Sequence, residues 1–275
     1  MARRWRQRLV WCSVCTCTML CTGGTAAFEV VPSGQAGEYL KWGASKKPGT
    51  SGGVVTWGFV VAGTPGSPYC DAFCGGTSLA SLPNFYPNPE VSNAIRSLDI
   101  AELRCEFQRA FDAWSTVADL KFEFIGEDQS QKPVNDLTST SPMIRIGIWP
   151  FGGLAAHFTA GAAFPPGLRG GSGSGHIFLN SNVGFQIATS EEGSRLQDFP
   201  KGGGLHMTDL YLLALHEIGH VIGLAGSSDP AAVMWKGGSS PMLRPTYLRR
   251  LPGADDIAGA QFLYGPPRNA RPATN

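Results

Sequence analysis

Charge is scarce in this sequence. Only 16% of its 275 residues are Asp, Glu, Lys or Arg, and they nearly cancel to a formal charge of +1. That excludes the basic surface a nucleic-acid partner would require. Long apolar runs are missing beyond the N-terminus, so no later segment is expected to span a membrane. Cysteine is almost absent from the body of the chain. Four of the seven lie in the first 21 residues, leaving Cys70, Cys74 and Cys105. The five histidines are His157, His176, His206, His216 and His220, and no glutamate follows Glu217. A ligand set that needs a His or Glu downstream of residue 220 is therefore excluded. Glycine (36) and proline (20) are plentiful, and 43% of the residues are hydrophobic. This mix suits a loop-rich globular chain with a sizeable core.

The N-terminus carries a compartment signal. "MARRWRQR" is a basic leader, "LVWCSVCTCTML" is an apolar stretch of signal-peptide length, and "CTGGTAA" ends in small residues before Phe28. Residues 1–27 read as a cleaved secretory signal, with a membrane anchor as the alternative. After cleavage no membrane association is expected, and the protein would be secreted. In an oxidising compartment "CDAFC" could close a small loop between Cys70 and Cys74. Cys105 is expected to be a buried thiol, with a bridge to that loop left open.

Residues 28–38 form a short polar lead-in, and 266–275 should be a disordered tail. Between them, "GGVVTWGFVV" (52–61) has strand composition. Residues 91–117 read as a helix whose Leu103, Phe107, Ala110, Phe111 and Trp114 recur at three- and four-residue steps. "LKFEFIG" (120–126) and "MIRIGIW" (143–149) alternate like strands, and "HIFLN" (176–180) is another candidate. Residues 185–205 read as loop. Helices are expected over 208–224, starting near Thr208 or Asp209, and over 254–264. One α+β or α/β domain follows from this order.

The chemistry lies in "HEIGH". His216 and His220 are four apart on a helix, so both imidazoles leave one face and can reach a single Zn²⁺. Glu217 is rotated about 100° from His216. It can stand beside the metal without ligating it, as a general base toward bound water. A bare HExxH is a modest signal, since two ordinary histidines on a helix give the same pattern. Gly223 at the expected stop of the helix and Met234 downstream strengthen it.

"HEIGHVIGLAGSSDPAAVM" resembles the matrixin branch of the metzincins, with its HExxHxxGxxH pattern and following Met-turn. "VSNAIRSLDIAELRCEFQRAFDAWSTVADLKFEFIGED", "LPGADDIAGAQFLYG" and "KWG…GGVVTWGFV" are similar to other parts of that family, so the resemblance spans residues 39–265. It implies an α+β fold: a twisted five-stranded mixed sheet packed with two long helices, and a small C-terminal subdomain holding the Met-turn and final helix. It implies a secreted zinc endopeptidase acting on a peptide or protein substrate. The zinc ligands would be His216 and His220, the general base Glu217, and the floor under the metal Met234. Substrate would lie along an edge strand near 158–165. The Asp255–Asp256 pair would have a structural role.

The sequence departs from the family in three places. Gly226 stands where the third ligand is expected. Asp229, three residues on, is a candidate substitute ligand, although the family also has an aspartate there for structure. The alternative reading is a weak or inactive member that binds peptides or a protein partner. Second, the stretches matching the family's structural-metal segments lack the expected donors. A structural zinc is not expected, calcium is open but unsupported, and His157, His176 and His206 read as loop or surface residues. Third, the pro-segment cysteine of the family is missing between Phe28 and Glu38. The Pro-x-Tyr wall after the Met-turn is displaced as well, with Tyr247 either lining the specificity pocket or lying in a surface loop. Oligomeric state is not legible.

Overall fold

The computed structural model describes residues 27–66, 74–87, 94–133, 136–153, 155–168, 175–188, 192, 207–236 and 248–268. In chain order the elements are β1 (Phe28–Val30), β2 (Gly53–Val60), β3 (Ser81–Phe85), β4 (Arg96–Asp99) and α1 (Ile100–Val117). Then come β5 (Leu120–Asp128), β6 (Ile144–Trp149), α2 (Ala155–Phe158), β7 (Gly161–Phe164), β8 (Gly175–Asn180) and β9 (Gly184–Gln186). The last are β10 (Met207–Asp209), α3 (Leu210–Val221), β11 (Leu224–Ser227) and α4 (Ala254–Tyr264).

The main sheet has five strands in the order β5-β2-β6-β8-β7. Its first four strands are parallel neighbours, and β7 runs antiparallel to β8 on the edge. The sheet is therefore mixed, and the fold is α+β. Both β6 and β8 are buried along their whole length. Interior strands covered on both faces lose the polar alternation that a half-exposed strand shows.

α1 starts at Ile100 rather than near residue 91. Asp99 caps it by accepting from Glu102 N at 2.9 Å, and Glu102 reaches back to the Asp99 N–H. This reciprocal pair fixes the first turn, and residues 96–99 ahead of it pair with β3 instead. One face of α1 buries Leu103, Phe107, Ala110, Phe111 and Trp114, as their spacing predicts. Trp57 and Phe122 on the sheet stack on Phe111, at 4.6 and 4.5 Å between ring centroids. Cys105 lies off that face. It is free and exposed, which corrects the expectation of a buried thiol and removes the bridge to the Cys70–Cys74 loop. Cys74 is disulfide-bonded to a partner outside the described residues.

Two smaller sheets are also present among the described residues. One has four strands in the order β10-β9-β3-β4, and so draws strand residues from the 185–205 stretch expected to be loop. The other pairs β1 with β11 antiparallel, so residues 28–30 of the expected lead-in are hydrogen-bonded beside the end of α3. Among the described residues no helix is long and apolar enough to cross a membrane. Residues 1–26 of the expected signal segment, and Tyr247, lie outside the described residues.

Candidate active site

α3 is the backbone of the site. Asp209 caps its N-terminus, accepting from Leu212 N at 2.8 Å and from Ala188 N at 2.7 Å, and it pairs with Arg250 at 2.6 Å. The helix ends at Val221, three residues earlier than the sequence suggests. Gly223 makes the bend with φ of +101°, a conformation that strains any residue with a Cβ. Three contacts hold the body and end of the helix in place. Trp114 Nε1 donates to Leu215 O at 2.9 Å, Trp42 Nε1 to Val221 O at 2.9 Å, and the Tyr264 hydroxyl to Ile222 O at 2.7 Å.

His216 and His220 leave α3 side by side. Their ring centroids are 4.8 Å apart and the planes nearly perpendicular, at 89°. His216 Nδ1 lies 2.8 Å from Val233 O, and His220 Nδ1 lies 2.9 Å from Leu224 O. A carbonyl can only accept, so both Nδ1 atoms carry the proton and both Nε2 atoms present a lone pair. Burial lowers the pKa of both, that of His220 to about 3 with His216 adding to the effect. Both rings are therefore neutral at pH 7, the form that ligates a metal.

Glu217 follows His216 on the same helix. It is 4% exposed, and its Oε2 has no hydrogen-bond partner. Burial pushes its pKa up to about 8. A carboxyl held this way in a dry setting suits proton transfer. The edge strand β7 comes close on this side. A Cβ at Gly161 would lie 3.2 Å from Glu217 Oε1 and 3.3 Å from Leu213. The missing side chain at residue 161 keeps the space between the sheet edge and the carboxylate open.

Met234 lies beneath the helix. Its sulfur and methyl pack on Gly219, where any Cβ would collide with them. The turn carrying Met234 is held by Asp256, whose carboxylate accepts from Val233 N, Met234 N and Gly253 N at 2.6, 3.0 and 2.8 Å. Asp255 accepts from Ala27 N and Phe28 N at 3.1 Å each and from the Ser227 hydroxyl at 2.5 Å. The pair thus anchors the Met-turn and β1. Asp229 closes a local turn, with its Oδ1 2.9 Å from Ala231 N and its own N–H 2.9 Å from Ser227 Oγ.

Gly226 sits on β11 with a neighbour on either side. Glu29 of β1 is its antiparallel partner. On the other flank Ser227 N donates to Met234 O at 2.7 Å and Ser227 bridges Trp235. This brings Lys236 alongside. A Cβ on Gly226 would lie 2.8 Å from Lys236 Cγ and 2.9 Å from Cε. The Lys236 ammonium ion-pairs with Glu29. The lysine stem thus covers the spot where a side chain at 226 would start. Nothing in the sequence pattern pointed to Lys236 or Glu29, because neither belongs to the motif.

Among the described residues no three of His, Cys, Asp and Glu gather as a metal set. The donors fit zinc on two sides and leave the third ligand position open. His176, expected at the surface, is buried on β8 opposite Arg145 of β6. Phe164 of β7 is its cross-strand partner, and the Phe178 ring lies 6.1 Å from the imidazole. The His157 side chain and the whole of His206 lie outside the described residues.

The matrixin family pattern matches residues 89–265. The chain is 32% identical over 191 residues to matrix metalloproteinase-16 of Homo sapiens, covering 67% of this chain and 27% of that one. It is 32% identical over 165 residues to metalloendoproteinase 1-MMP of Arabidopsis thaliana, covering 60% of this chain and 38% of the other. Macrophage metalloelastase of Oryctolagus cuniculus is 30% identical over 188 residues, covering 68% and 34%. The chain therefore belongs to the matrixin family, whose members are, at family level, zinc metalloendopeptidases. It spans between about a quarter and two fifths of the length of these relatives.

Proposed function

We propose that this protein is a secreted, zinc-dependent endopeptidase. The observation that carries the reading is the perpendicular pair of neutral imidazoles, each fixed by its Nδ1 proton, beside a buried carboxyl with an unpartnered oxygen. His216 and His220 would hold the metal through Nε2. When bound, zinc would polarise the scissile carbonyl and acidify a water. Glu217, brought back to its carboxylate form by the metal's charge, would accept that water's proton on the orphaned oxygen and deliver it to the leaving amine. Gly161 lets an extended peptide approach that carboxyl, and the edge of β7 offers backbone groups for it to pair with. Met234 packs under α3 and keeps the two imidazoles in register. Asp229 is less suited to a ligand role, since one of its oxygens closes its own turn. Tyr247 stays a candidate wall of the specificity pocket.

A second reading has its own observation. With Gly226 offering no donor and Lys236 over it, the chain could bind peptides on the same scaffold without cleaving them. Metal analysis of the purified protein, followed by a peptide-cleavage assay with and without chelator, separates the two. A peptidase retains stoichiometric zinc and stops under chelation. A binder retains peptide affinity and shows no cleavage at any zinc concentration. N-terminal sequencing of protein recovered from the medium tests secretion, with a start near Phe28 expected.

A further inference from the structure

We propose that Tyr264 is a positioning residue for His220, acting through the bend that ends α3. The inference rests on the zinc-peptidase reading above and names the group that aims one of its two imidazoles. His220 Nδ1 lies 2.9 Å from Leu224 O, so the direction of the ring follows the place of that carbonyl. Leu224 comes directly after the bend, and the three carbonyls ahead of it are each taken by a partner distant in sequence. Val221 O accepts from Trp42 Nε1 at 2.9 Å, Ile222 O from the Tyr264 hydroxyl at 2.7 Å, and Gly223 O from Val31 N at 2.9 Å. The hydroxyl therefore grips the residue next to Gly223, where the backbone has most freedom to turn. Without that grip nothing polar fixes the Ile222 carbonyl, and the position of Leu224 O loosens with it.

Tyr264 is itself well held. Its oxygen accepts from Trp42 N at 3.1 Å, which directs its proton to Ile222 O. Its side chain is fully buried, and the Lys41 ammonium lies 4.7 Å from the ring centroid. Lys41 is tied in turn to Ser45 O, Thr50 O and Thr50 Oγ1 at 3.2, 2.8 and 2.9 Å. Tyr264 also closes the helix whose first turn carries Asp256. Asp256 accepts from Val233 N, and Val233 O orients His216. The two ends of α4 thus brace the two imidazoles, Asp256 through the Met-turn and Tyr264 through the bend.

The test reads the ring first and the metal second. Nitrogen NMR of the metal-free protein reports the tautomer of each histidine, and chelator competition then gives the Zn²⁺ affinity. Tyr264→Phe removes one oxygen and leaves the buried Ile222 carbonyl without its donor. The His220 signal is expected to move from the Nδ1–H form toward the Nε2–H form, with His216 unchanged. Zn²⁺ binding should weaken about tenfold, the lower end of what partners of metal ligands contribute. Asp99→Ala uncaps α1 and is the control for lost stability. Its urea midpoint should fall while the His220 signal and Zn²⁺ affinity stay as in wild type. The assignment is overturned if Tyr264→Phe lowers the urea midpoint yet keeps the wild-type tautomer and affinity, or if Asp99→Ala shifts His220 equally. If no protein binds Zn²⁺ the peptidase reading falls, and the tautomer of the metal-free chain alone decides the role of Tyr264.

Discussion

The two flanks of α3 follow different rules. On the α3 side every part serves one geometry: two fixed imidazoles, a dry carboxyl, and a methionine packed on Gly219. On the β11 side the same turn and the same Asp256 anchor are kept, yet the residue that would complete the site is a glycine under a lysine. Scaffold and ligand set are thus separable. The Met-turn is held by backbone donors to Asp256, which do not depend on what residue 226 carries. A lost side chain on β11 leaves the support of α3 intact.

The largest expected effect tests the intact side. Glu217→Ala should reduce peptide cleavage by about 10²–10⁴-fold, the usual contribution of a positioned general base, while zinc content measured on the same sample stays unchanged. Loss of metal in this variant would show that Glu217 holds structure rather than protons.

Next comes the altered side. Gly226→His alone must displace the lysine stem, whose Cγ would lie 2.8 Å from the new Cβ. Combined with Lys236→Ala, the histidine has room and should raise zinc affinity by at least about tenfold, judged from the 10–100-fold cost of lesser changes. A double variant no better than the single one would break the contrast between the flanks.

A smaller effect is expected under the helix. Gly219→Ala forces a methyl against Met234 and Trp114. Overpacking of this kind costs about 1–3 kcal/mol, readable as a lowered urea midpoint. Met234→Ala in the same background should restore part of it.

The last test lies outside both flanks. Burial and the Arg145 charge hold the His176 pKa down near 3. The unfolded chain takes up this proton near pH 6.5, the native state only near 3. The stability linked to His176 is therefore complete above pH 6.5 and is lost as pH falls toward 3. His176→Phe should flatten the acid limb of urea unfolding, by at most about 1.4 kcal/mol per pH unit. An unchanged slope would mean that the site is not dry.

Local signals carried much of this molecule. The α1 face was readable from its three- and four-residue steps, and the α3 motif from its i, i+4 histidines. The start of α1 was also present in the sequence, as Asp99 and Glu102 in capping-box spacing, but the longer helix reading passed over it. The exposure of Cys105 could have been read from the same helical phase. His176 was harder, because a strand covered on both faces shows no alternation to place it. The β1–β11 pair was out of reach. Three or four residues on each side carry no periodicity, and Glu29 and Lys236 come from opposite ends of the chain.

Arg145 has a practical consequence. Its guanidinium meets Asp128 at 2.7 Å and the carbonyls of Lys132, Pro133 and Asp136 at 3.3, 3.0 and 3.3 Å. A cation tethered by covalent bonds gathers that segment, and EDTA cannot strip it. Heat tolerance that drops when EDTA is added would thus have to be traced to some other part of the protein.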